Sequence, residues 1–502
     1  MGRQSAGASF LEAYIKFSGN SNHHIAVPNS ETAKWFHQQA QAFNPKAFTH
    51  ATPLSNWGKA GKINGAFHIP SPMLNEWAWR RMPWGDGAFS LMGIVHTLCT
   101  FKVQQGLGQF SSSPIREWDA LICTSNPARN AVLGFLERQE DWLSKRYQSN
   151  FHAHRPQLPV IPLGIHPDTW EPPINKIEAR KRARAKLGIH QEAQIILIAG
   201  RLDLLTKFQP APLFKALQDL REDFPYLELL IYGEAPDEGM LNIWKKGAKQ
   251  LAPTLPIHWI PGKELDLSGP ARWAADVFAS LPDNPQETFG ITPLEAMAAE
   301  LPCIVSDWDG YRDSVIQPGE AGEATGFRIT TRMIRGLGED EANKMLQYSI
   351  NYTHAMGRIS QGIAVDINEF KEKLSILLNS NQLRFDMGKA GRTRVENFYD
   401  WRVVIEQWRA LTDDLYQRRT HAIASQQCTP PQLPPWMPDT STGFGCFASE
   451  IIPASWSPEF PDHHLEVKEL ANPLQSWDKS LLNSMSSRRR GWWLKNNLVD
   501  YN

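Results

Sequence analysis

"DVFASLPDNPQETFGITPLEAMAAELPCIVSD" runs from Asp276 to Asp307 and reads as strand, loop, helix, strand. "DVFASLP" and "PCIVSD" are short apolar runs, and a helical stretch separates them. Strands that are apolar on both faces and joined through a helix imply a parallel sheet. The loop is unusual for a turn next to a core. Two carboxylates, Glu287 and Glu295, bracket an aromatic residue, a glycine and a Thr-Pro step.

The same texture extends in both directions. "AQIILIAGRL", "LELLIYG" and "IHWIPG" complete a second set of strands, with "PAPLFKALQDLREDF" and "MLNIWKKGAKQL" as helices between them. A first set lies upstream: "HHIAVP", "GAFHIP", "FSLMGIVHT", "DALICTS" and "LPVIPLGI". Two sets predict an α/β protein of two doubly wound domains, with the break near "HPDTWEPPIN", where prolines cluster. Beyond residue 330 the pattern turns helical, and from His421 the chain becomes rich in proline and serine.

Composition narrows the function classes. The 502 residues exceed what one core organises. With 42% apolar and 21% charged residues, the chain has an ordinary globular balance. A formal net charge of -1 provides no overall field for nucleic acid or an anionic membrane. The five cysteines are scattered without a CxxC pair, so neither a disulfide framework nor a thiolate zinc site is expected, and a reducing, cytoplasmic setting fits. The start lacks an apolar signal core, and the longest apolar stretch is too short to span a bilayer.

By plain helix chemistry, Thr292-x-x-Glu295 with Pro293 is a capping box with a first-turn proline. A functional alternative follows from position. The amides of Phe289, Gly290 and Ile291 would point outward at the carboxyl end of the sheet, an anion site reinforced by the helix dipole. Acids beside it make sense when they accept hydrogen bonds from sugar hydroxyls. Arg201, directly after a strand, and Lys207, one loop later, would supply cations; their plain alternatives are a solvated strand-end charge and a helix-start lysine.

"DNPQETFGITPLEAMAAELPCIVSDWDGYRD" (Asp283–Asp313), with "AGRLDLLTK" and "VIPLGIHPDTW", resembles glycosyltransferase family 4, retaining enzymes of the GT-B fold. The resemblance implies two Rossmann-like domains facing across a cleft, over residues 1–168 and 169–395. Helices at 396–420 would cross back, and 421–502 would form a Pro/Trp-rich extension. It implies a nucleotide-sugar donor, with Glu295 holding the ribose and Glu287 a hydroxyl of the transferred sugar. Phe289, Gly290, Ile291 and Thr292 would line the donor, and Arg201 and Lys207 would neutralise the diphosphate. His96, at a strand end, would bond sugar or phosphate; as a plain alternative it is a core histidine. Gly7 would open a loop and helix N-terminus near the transferring phosphate, although Met1 stands where the family has a preceding strand. Glu300 departs from the glycine common there and is expected to cap a surface turn. No metal or other cofactor is required, and the acceptor would be a saccharide or glycolipid. A non-catalytic nucleotide-sugar-binding protein, a sugar-nucleotide epimerase and a phosphorylase remain open as rivals.

Smaller signals are weighed similarly. The histidine pairs at 23–24 and 463–464 and "HAH" at 152–154 lack accompanying ligands and are expected at the surface. "KIEARKRARAKLG" is expected to be a solvated helix face rather than a nucleic-acid platform. "SRRRGWWLK" (Ser487–Lys495) suits either weak peripheral membrane contact or packing against the body.

Overall fold

A computed structural model describes residues 2–150 and 153–451; His152, the 463–464 pair and the Ser487–Lys495 stretch lie outside the described residues. Residues 1–432 make one unit, which contains every sheet, and residues 433–502 make another. In the latter, Asp439 caps a short helix, Thr440–Phe444.

Thirteen strands are described: β1 (Asn22–Val27), β2 (Phe48–Pro53), β3 (Ala66–Ile69), β4 (Ser90–Ile94), β5 (Ala120–Ile122), β6 (Gln194–Arg201), β7 (Leu227–Glu234), β8 (Ile257–Pro261), β9 (Val277–Ser280), β10 (Cys303–Ser306), β11 (Gly326–Ile329), β12 (Thr331–Met333) and β13 (Ile363–Val365). Six form one sheet in the order β11-β10-β9-β6-β7-β8, every pair parallel. Counted from β6 this is the doubly wound order 3-2-1-4-5-6, which reverses direction between β6 and β9. That reversal leaves a crevice at the carboxyl ends of these two strands, and it positions the site.

The β6 sequence explains its central place. Ile196 and Ile198 point into the core on one face, while Ile195, Leu197 and Ala199 pack on the other. Each fully buried aliphatic side chain contributes roughly 1.5–3 kcal/mol. The sequence predicts five of the six strands; β11 is an addition.

The first lobe holds a parallel sheet β3-β4-β5 and a separate parallel pair β1-β2. "LPVIPLGI" forms only isolated bridges, at Val160 and Ile165, with another just before it at Gln157, rather than the predicted strand. Pro156, Pro159 and Pro162 remove the donors a ladder needs. Helix Trp401–Ala424 lies across this lobe: Trp401, Val404, Ile405, Trp408, Leu411 and Leu415 share a buried cluster with Met92, Ile94, Ala120 and Ile122.

Gly7 is not in a loop. Helix Gly2–Phe17 runs through it, because Phe10 and Ala13 pack on Trp401 and Trp408 and carry the helix past the glycine. No helix N-terminus opens at Gly7 to meet a phosphate. His23 is buried rather than at the surface, and His24 stacks on His50 at 4.5 Å. One arginine of the helix Lys176–Leu187 also leaves solvent: Arg184 is fully buried, and both Arg180 and Arg184 bond Asp276.

Candidate active site at the sheet reversal

Two loops leave the sheet where its winding reverses. The first follows β6. Asp203 accepts from Leu205 N at 2.9 Å and from the Thr206 hydroxyl, and its carbonyl accepts from Lys207 N at 3.1 Å. This tight turn presents Lys207. The second follows β9. In it Asn284, fully buried, donates from Nδ2 to Leu205 O at 2.8 Å, and its Oδ1 accepts from Gln286 N at 3.0 Å. Trp308 Nε1 donates to Asn284 O at 3.1 Å. Asn284 therefore ties the two loops together, and the Lys207 ammonium meets the Glu287 carboxylate as an ion pair.

The pair holds both charges in place. Burial alone would depress the Lys207 pKa, but the Glu287 charge overrides it and raises the ammonium above the ordinary lysine value. Burial would likewise push Glu287 up, and Lys207, with Arg201 behind it, holds the carboxyl below the usual range. Arg201 at the end of β6 is exposed and electrostatically felt by both.

Glu287 leads into the helix Ile291–Ala298. Gly290, at φ +83°, is its N-cap, so Thr292 is not, and the T-x-x-E capping box does not form. A Cβ at Gly290 would lie 1.9 Å from Cε1 of the Tyr311 ring. Only glycine fits this turn. Tyr311 is anchored by its hydroxyl to Ser280 Oγ at 2.8 Å, and Gly310 packs on the Phe289 main chain. The Phe289 ring is core, near Tyr399, so this residue offers only its backbone to the crevice. Ile291 is partly buried on the same core, and the Thr292 methyl faces Gly200.

Glu295 is one turn further on, and its carboxylate pairs with Arg272. Burial raises the Glu295 pKa against the opposing pull of Arg272. Arg272 lies 4.1 Å over the Trp170 ring and donates to Ser268 O at 2.9 Å. Sequence reasoning missed Arg272, because nothing in "GPARWAAD" distinguishes it from a surface arginine.

The first lobe closes on this segment. His96 follows β4; its Nε2 lies 2.7 Å from Pro70 O and its carbonyl accepts from the Thr288 hydroxyl. Thr288 O accepts from Thr124 Oγ1 at 3.1 Å and Ser125 Oγ at 3.3 Å. Ser125 Oγ also donates to Asp309 Oδ1 at 2.9 Å, and Asn126 N to Asp313 Oδ2 at 2.6 Å. His96, Arg201, Lys207 and the Glu287–Glu295 segment are thus gathered at one crevice, while Gly7 lies inside a helix of the first lobe. The Thr124–Ser125 and Asp309 partners were also missed. Their bonds join residues more than 160 positions apart, which no local pattern signals.

Residues 179–339 match the family model described as glycosyl transferases group 1. This segment is similar to glycosyltransferases of the family 4 type. Its relatives include the D-inositol 3-phosphate glycosyltransferase of Kineococcus radiotolerans, 28% identical over 36% of this chain and 41% of that protein. Spore coat protein SA of Bacillus subtilis is 24% identical over 59% of this chain and 68% of that protein. The chain thus spans about two fifths of the former's length. Among solved structures, Anabaena HepE (Alr3699) in complex with UDP aligns with a TM-score of 0.54, at 11% identity, over 82% of this chain and 96% of that one. A glycosyltransferase from Rickettsia africae aligns at 0.53, with 15% identity, over 82% and 94%. The chain thus shares the GT-B fold of these structures, with its cleft residues at the reversal of the six-stranded sheet.

Proposed function

We propose that the chain is a retaining glycosyltransferase that moves a sugar from a nucleoside-diphosphate sugar to a saccharide or glycolipid acceptor in polysaccharide or glycoconjugate assembly. The carrying observation is the Lys207–Glu287 pair beside Arg201 at the sheet reversal. The relative named D-inositol 3-phosphate glycosyltransferase, and HepE solved with UDP and with UDP and glucose, support it.

The chemistry follows from the charges. Sugar transfer builds negative charge on the departing diphosphate and positive character on the sugar. Lys207, Arg201 and the amides at the head of the helix Ile291–Ala298 stabilise the departing phosphate, more in the transition state than before it. Each such donor is worth roughly 3–4 kcal/mol of barrier. These groups supply the positive charge a divalent ion would otherwise bring, so the reaction proceeds without a metal or other cofactor. Glu287 orients the transferred sugar through a hydroxyl, and Glu295, released in part from Arg272, accepts from the ribose. His96 contributes a hydrogen bond to sugar or phosphate.

No helix among the described residues is long and apolar enough to cross a membrane. The proposed setting is cytoplasmic, with no nucleic-acid partner and at most weak peripheral membrane contact through Ser487–Lys495; vesicle flotation of the full chain tests that contact.

The decisive experiment is donor hydrolysis across UDP-, GDP- and ADP-sugars. Slow release of free sugar that disappears in Glu287→Gln supports transfer. Tight donor binding without release means a binding protein, and interconversion of sugar nucleotides means an epimerase; either result sinks the proposal.

A further inference from the structure

The second sheet carries another cleft, at the amino ends of β9 and β10 and so on the side away from Lys207 and Glu287. Its volume is about 380 Å³. Four cations line it, Lys176, Arg180, Arg272 and Arg384, against two carboxylates, Asp276 and Glu300. Arg272 is also paired with Glu295, and Arg184 shares Asp276 with Arg180; five cations minus three carboxylates leave a formal charge of +2.

The cations are crowded onto too few acids. Asp276, nine-tenths buried, takes Arg180 at 2.5 Å and Arg184 at 2.9 Å, and Arg384 approaches it at 3.9 Å. Burial lowers the Arg384 pKa; Asp276 opposes this, and the neighbouring Arg180 charge adds to it. Burial, then Arg392, does the same to Lys176. Two longer helices open here as well. Lys176 begins Lys176–Leu187 and Asn381 begins Asn381–Phe398, and both residues line the cleft. Their dipoles add to the positive potential. The remaining wall is apolar, with Trp273, Leu301, Pro302 and Phe385.

We propose that this cleft binds a phosphate monoester of a small metabolite. A phosphate dianion offsets the +2 lining charge. Its oxygens suit Arg180, which is 39% exposed, and Lys176, which is half exposed and paired with Glu300. The cleft is larger than phosphate alone requires and falls in the range of small-molecule pockets, so the apolar wall takes the organic part. The site shares Arg272 with the Glu295 pair, but Lys176, Arg180 and Glu300 lie outside the donor site proposed above.

Calorimetric titration of the full chain with inorganic phosphate and with phenyl phosphate tests it. Both are expected to bind, phenyl phosphate more tightly. Lys176→Gln with Arg180→Gln should weaken binding about tenfold or more, the scale of lost charge-assisted contacts. Glu300→Gln, which removes the acid competing for Lys176, should strengthen it. Absence of binding, equal affinity for the two probes, or unchanged affinity in the double variant would overturn the proposal; the last would place the anion at Lys207. Should the double variant fail to fold, Glu300→Gln decides alone: tighter binding supports the site, and unchanged or weaker binding rejects it.

Discussion

Lys207 and Glu287 form an ion pair across 80 residues, with side chains 13% and 17% exposed. Each charge is therefore held mainly by the other. Lys207→Ala should abolish turnover and also destabilise, on the order of 3 kcal/mol, because Glu287 is left buried and uncompensated. Lys207→Met combined with Glu287→Leu should recover much of that stability without activity. Urea denaturation alongside donor hydrolysis checks both; a single variant with native stability and near-normal rate contradicts the pair's role.

Arg272→Gln frees Glu295 from its partner and leaves the carboxylate in a buried setting that already raises its pKa. Donor KM should rise several-fold with a smaller change in kcat, because the affected group binds rather than reacts. A pure kcat effect would place Glu295 in the chemistry instead.

Asn284→Ala removes the two hydrogen bonds of one buried side chain, to Leu205 O and from Gln286 N, and leaves the Trp308 bond to the Asn284 main-chain carbonyl. A loss of about 2 kcal/mol is expected, with a fall in turnover larger than stability alone explains. Thermal melts paired with rates at a temperature well below the transition separate the two.

Gly290→Ala combines a strained φ of +83° with a Cβ driven into the Tyr311 ring. We expect failure to fold or a loss exceeding 3 kcal/mol. Tyr311→Phe, which only deletes the bond to Ser280, should cost about 1 kcal/mol, and soluble, active Gly290→Ala protein would refute the packing.

Asp283 and Asp309 both have their pKa pushed up to about 7, in each case first by burial. For Asp309 the neighbouring Glu287 charge adds to this. An acid whose native pKa exceeds its unfolded value favours the folded state while protonated. Stability from these groups is fully present below about pH 4 and declines as pH rises towards 7, by up to about 1.4 kcal/mol per pH unit for each group. Above 7 their contribution is flat. Asp309→Asn should flatten part of that decline in denaturation midpoints measured from pH 5 to 8, and an unchanged slope would remove Asp309 as its source.

Legibility in the sequence varied with range. The strands around β6 and β9 announced themselves as apolar runs because both faces are buried, and the helix after Glu287 followed from its spacing. "LPVIPLGI" misled because apolar content suggested a strand that Pro159 and Pro162 do not allow. Gly7 misled because a glycine near an amino end suits a loop, whereas Phe10 and Ala13 draw the helix onto Trp401 and Trp408. "KIEARKRARAKLG" looked solvated, since nothing local shows that Asp276 waits 92 residues away to receive Arg184.

The chain's own order of residues determined the alternation of strands and helices, the glycine that the turn before Ile291 demands, and which acids and cations stand at strand ends. Those are local properties, set by side-chain periodicity and backbone freedom. Which acid meets which cation was decided only by the folded chain. The β6–β9 reversal brings Lys207 to Glu287, Arg272 to Glu295 and Thr288 to the first lobe. Such pairings depend on strand order in space, and electrostatic attraction acts through distance across the fold rather than along the sequence.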